Sequence, residues 1–168
     1  MHFRLRVSRS FSFLTFCLLV SLVALAQTNL RYRLLEGFAL NEDAPVNKGK
    51  PTLFVFEQAE TFKQVFKPAP GLFRRTLQPN FGKEMVVGIA LPPTNTPPKL
   101  SVSRIFVQDS ILTVRYIRLK DTTQVQKPES VSSQPMLVVA IPKQTVLKTR
   151  LVENGRVVQT IRKREDEE

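Results

Sequence analysis

The chain has 168 residues, enough to bury one core and short for two. It carries 25 Lys and Arg against 14 Asp and Glu, a formal net charge of +11, with one Cys, one His and no Trp. Cys17 and His2 both fall in an N-terminal stretch with the marks of a cleaved leader. The mature chain is then expected to have no Cys/His metal site, no cysteine nucleophile and no histidine base.

Residues 1–26 have three parts. Arg4, Arg6 and Arg9 make a positive start, residues 11–26 are apolar at thirteen of sixteen positions, and the run closes on Ala24-Leu25-Ala26. That is the layout of a secretory signal peptide with cleavage after Ala26. The run is shorter than the roughly 20 residues that a spanning helix needs. The expectation is a protein that starts at Gln27 in the periplasm or outside the cell. Loss of three arginines leaves a net charge of +8, no disulfide, and no later apolar run able to span a membrane.

Alternation dominates the rest of the chain. Residues 31–38 predict a strand, 41–51 an exposed loop rich in Asn, Asp, Gly and Pro, and 52–57 (TLFVFE) a mostly buried strand. Ala59, Phe62, Val65 and Phe66 recur at steps of three and four, which predicts one amphipathic helix ended by Pro68. Residues 69–82 read as loop, and 85–91 (MVVGIAL) as a strand covered on both faces. Four prolines in 92–98 exclude a central ladder and predict a stiff exposed loop.

Strands at 100–108 and 111–119 flank Asp109-Ser110, a two-residue hairpin turn. In the second, Ile111, Thr113, Arg115, Ile117 and Leu119 share one face and Leu112, Val114, Tyr116 and Arg118 the other. Residues 120–135 are polar and loop-like, and 136–141 form another buried strand closed by Pro142. Asn154-Gly155 predicts a type I′ turn. Counting outward pairs Glu153 with Arg156, Val152 with Val157, Leu151 with Val158, and Thr149 with Thr160. The fold expected is mainly β, an antiparallel sandwich or open barrel of about eight strands with one packed helix. It forms one domain over 27–163, with a C-terminal hairpin at 145–162 and a charged tail at 164–168.

Catalytic patterns are absent. No Ser-x-x-Lys occurs, and the six glycines are scattered singly rather than gathered in a phosphate-binding loop. Ten acids remain outside the tail, and six of them fall in predicted loops or on the helix surface. The expectation is a non-enzyme without catalytic residues, metal or cofactor. Charge offers a binding role instead. Arg104, Arg115 and Arg118 lie on or near strands with Phe106 and Tyr116, a pattern suited to an anionic polysaccharide or lipid headgroup. A secretory leader argues against nucleic acid.

Two stretches, QPNFGKEMVVGIALPP at 78–93 and SQPMLVVAIPK at 133–143, resemble the C-terminal domain of PrcB-like proteins, a protease-complex subunit family. The residues that carry the likeness are Phe81, Lys83, Glu84, Met85, Val86 and Val87, then Pro135, Val138, Ile141, Pro142 and Lys143. GKPTLFVFEQAETFKQVF at 49–66 is similar to the family's strand and helix. The resemblance spans about residues 30–145 and implies a secreted, non-catalytic accessory protein that stabilises or associates with a protease.

A protein partner needs a surface. Pro92, Pro93, Thr94, Asn95, Thr96, Pro97 and Pro98 are the candidate contact, because prolines restrict the unbound chain and lower the entropy lost on docking.

Overall fold

The computed structural model describes residues 27–70, 77–120 and 132–163. Residues 1–26, where a leader is expected, residues 71–76 of the predicted loop at 69–82, most of the polar stretch 120–135 and the tail at 164–168 lie outside the described residues.

Strands β1 (Thr28–Asn29), β2 (Arg33–Leu34), β3 (Phe38–Leu40) and β4 (Thr52–Phe56) precede helix α1 (Ala59–Val65). Then come β5 (Phe66–Pro68), β6 (Glu84–Ala90), β7 (Lys99–Gln108), β8 (Ile111–Leu119), β9 (Met136–Pro142), β10 (Lys148–Glu153) and β11 (Arg156–Arg162). They form a five-stranded sheet ordered β1-β7-β8-β10-β11, a four-stranded sheet ordered β2-β9-β6-β4, and the pair β3-β5. Among the described residues the fold is mainly β, with one short helix and no sheet closed into a barrel.

The four-stranded sheet is the middle layer because its long strands carry unbroken apolar runs, at 53–56, 85–90 and 136–141, rather than alternating ones. In β6, Met85, Val87 and Ile89 face the five-stranded sheet, where Ile105, Leu112, Val114, Tyr116 and Leu151 meet them. Val86 and Ala90 face the other way, against Phe54, Phe56, Phe62 and Phe66 beneath α1 and the β3-β5 pair. The expected two-sided burial of 85–91 is what the structure has, with Met85 to Leu91 buried throughout.

Four expectations need correction. The barrel alternative fails because β4 and β11, edges of different sheets, join through side chains: Gln159 Oε1 accepts the Leu53 N–H at 2.8 Å. The antiparallel pairing has one exception among the described strands: β8 and β10 pair in parallel. The strand at 31–38 is broken at Gly37, whose φ of 83° turns the chain from β2 into β3. The helix stops at Val65 instead of running to Pro68. A residue before proline is pushed out of the α region, and Phe66–Pro68 pairs with Phe38–Leu40 instead. Asn41 Nδ2 donates to the Lys63 and Gln64 carbonyls at 3.0 and 2.8 Å, satisfying the helix end.

Both predicted hairpin turns are present, with positive φ at Asp109, Ser110, Asn154 and Gly155. The last hairpin keeps the predicted pairs Glu153–Arg156 and Val152–Val157, then slips by one residue. Leu151 pairs with Gln159 and Thr149 with Ile161, not with Val158 and Thr160. A bulge at this point leaves Val158 exposed and turns Gln159 inward to the Leu53 amide.

Candidate binding surface

The outer face of the five-stranded sheet can be built row by row from strand register. Alternation puts Arg104, Phe106 and Gln108 of β7 opposite Arg115, Thr113 and Ile111 of β8. Past a bulge between Val102 and Arg104, Ser101 and Lys99 lie opposite Ile117 and Leu119. The parallel partner β10 extends the rows with Val152, Arg150 and Lys148. Finally β11 adds Val157, Thr160 and Arg162. Among the described residues the strands of this face hold six cations, Lys99, Arg104, Arg115, Lys148, Arg150 and Arg162, and no carboxylate; Asp109, in the β7–β8 turn, lines a cleft of about 310 Å³ with Arg115 and Arg150.

Two of these arginines are direct cross-strand partners. Like charges opposite one another destabilise a sheet, and a shared ring offsets part of that cost. The guanidinium carbons of Arg104 and Arg115 lie 5.0 and 5.5 Å from the Phe106 ring centroid. Arg104 Nε also donates to Asn29 Oδ1 at 2.7 Å. Phe106 is consequently only 5% exposed although it sits on the outer face. Among the described residues, none of Arg104, Arg115, Lys148, Arg150 and Arg162 pairs with a carboxylate.

The other two residues grouped with these arginines in the sequence face inward. Tyr116 is 1% exposed in the core between the sheets, and its hydroxyl donates to Glu153 Oε2. Burial first, and then the hydrogen bond and charge of Glu153, push this phenol well above its ordinary range. Arg118 Nη1 lies 3.7 Å from the same carboxylate. Arg150, Lys148 and Arg162 were missed as partners of Arg104 and Arg115. The K-x-R alternation at 148–150 was a signal for one face, but no local pattern says that β10 lies beside β8.

The proline loop is placed differently. It joins β6 to β7 and so crosses from the four-stranded to the five-stranded sheet. Thr94 exchanges backbone hydrogen bonds with Ser133 at 2.8 and 3.0 Å, and Thr94 Oγ1 accepts the Thr96 N–H at 3.1 Å. Pro93, Asn95 and Thr96 are exposed, whereas Pro92, Thr94, Pro97 and Pro98 are half-buried. Thr94, Thr96 and Pro98 share a cleft of about 460 Å³ with Arg118, Lys120 and Asn154.

A second cleft, about 770 Å³, opens between α1 and the start of β10 over a floor that includes Val55, Val65, Val146 and Ile161. The one carboxylate lining it, Glu57, is held by Lys163 at 3.1 Å. Among the described residues, no cluster of three or more His, Cys, Asp or Glu could hold a metal ion, and no helix is long and apolar enough to cross a membrane.

No protein-family model matches the chain, and neither a curated protein nor a solved structure does.

Proposed function

We propose that the protein is a non-catalytic binding module that recognises an anionic surface through the outer face of its five-stranded sheet. One observation carries the reading: among the described residues six cations stand on the strands of that face, against one carboxylate, Asp109, in the turn at its edge. That excess of positive charge gives the face a net field attractive to anions. The test is retention on an immobilised polyanion as salt rises. Arg104→Gln/Arg115→Gln/Arg150→Gln is compared with Lys48→Gln/Lys50→Gln/Lys143→Gln, which removes the same net charge elsewhere. The first triple should elute at much lower salt. Equal losses would mean that overall charge, not this face, does the binding.

A second reading, an accessory protein that holds a protease through residues 92–98, is favoured by the Thr94–Ser133 bridge. That bridge braces the loop midway, while strands fix both ends. Secretion by a cleaved leader fits either role. Replacing 92–98 with a Gly/Ser linker and measuring protease recovery from the native envelope separates them, because only the second reading expects recovery to fall.

A further inference from the structure

We infer that the anionic surface is a lipid bilayer, with one end of the outer sheet face entering between the headgroups; this rests on the proposed reading of that face. The cations are not alone there. Ile117, Leu119 and Val157 are 37%, 56% and 58% exposed on the same face. The rows order them along the strands. Leu119 and Ile117 come first from the end where β8 finishes, and Val157 lies in the next row, shared with Arg104, Arg115 and Val152. Arg150 follows one row on, and Lys148 and Arg162 one row further. The most exposed aliphatic residues therefore gather toward one end of the face, with Lys99 opposite Leu119 in the first row, and the other cations fill its middle and far end.

A polysaccharide or a nucleic acid gains little from exposed aliphatic side chains. It is gripped through ring stacking, and Phe106, the aromatic ring of this face, is covered by two guanidiniums. A protein partner is held by anchors in pockets, whereas these three side chains stand out from the sheet. A phosphate layer above a hydrocarbon layer answers both halves of the pattern.

The absence of any Trp makes insertion directly visible. Leu119→Trp puts an indole at the aliphatic end, and Leu147→Trp puts one at an equally open site off this face, where Leu147 is 66% exposed. Vesicles of phosphatidylcholine, with and without phosphatidylglycerol, are added to each variant after circular dichroism has shown the fold intact. The Leu119→Trp emission should shift to the blue with phosphatidylglycerol vesicles only, and Leu147→Trp should not respond. Arg104→Gln/Arg115→Gln/Arg150→Gln should weaken vesicle binding about tenfold or more. Retention on heparin or polyglutamate without vesicle binding overturns the lipid assignment and leaves the anion-binding face standing. Vesicle binding without the Leu119→Trp shift, or with an equal shift at Leu147→Trp, overturns the insertion. Failure to bind vesicles, heparin and polyglutamate alike removes both readings.

Discussion

Two glycines are required for opposite reasons. At Gly88 an added Cβ would meet Phe66 Cε2 and Cζ at 2.8 Å. Phe66 cannot yield, because Phe54, Phe56 and Phe62 surround it at centroid distances of 5.9, 5.8 and 5.4 Å. At Gly155 nothing lies within 4 Å, and the demand is a φ of +86°. Gly88→Ala should cost about 1–3 kcal/mol by overpacking, and Gly155→Val about 1 kcal/mol or more by backbone strain. Urea midpoints measure both, and adding Phe66→Leu should recover part of the first loss and none of the second. Tyr116 makes a further residue-scale prediction. Its phenol stays protonated in the fold, while the unfolded chain releases that proton near the ordinary value of 10.0. Above that pH the unfolded state binds fewer protons than the folded one, so stability falls as pH rises. Titrating unfolding free energy from neutral into the alkaline range should show the decline in wild type and a shallower one in Tyr116→Phe.

Among the elements, the last hairpin shows what alternation can and cannot tell. Asn154-Gly155 announces its turn and its first two pairs, but Val157 and Val158 are chemically alike, so nothing local says which of them is the bulge. The tie is broken by a distant group, the Leu53 amide that needs Gln159. Deleting Val158 leaves Val157 opposite Val152 and Gln159 opposite Leu151 in a regular ladder. Deleting Thr160 instead moves Ile161 off the core face and pulls Lys163 from Glu57. The first deletion should shift the denaturation midpoint less than the second. Helix α1 offers the same lesson in a smaller form: Phe66 continues its periodicity, yet strand pairing and Pro68 claim it for β5. Strands β1, β2, β3 and β5, of two or three residues each, are too short for a period of two to show.

For the molecule as a whole, layering was legible and neighbour order was not. The unbroken apolar run at 85–91 reads as a strand covered on both faces and that at 136–141 as a buried strand, and the structure puts them side by side in the middle layer. Protection of backbone amides against hydrogen exchange should therefore be greatest in β6 and β9 and least in β1 and the outer edge of β11. The cationic face could not be read this way, because half of it arrives on β10 and β11, far along the chain from Arg104 and Arg115.

The parallel contact between β8 and β10 also bears on how the chain reaches this state. β8 ends at Leu119 and β10 begins at Lys148, and between them the chain crosses to the other sheet to lay down β9 beside β6. Neither sheet can thus be completed before the other has begun. Closing such long loops costs entropy before any pairing offsets it, which places folding in the slow range of about milliseconds to seconds. During that interval β8 has an open edge and the arginines of its face already exposed. A strongly positive surface repels its own copies, so the same charge also keeps half-folded chains apart.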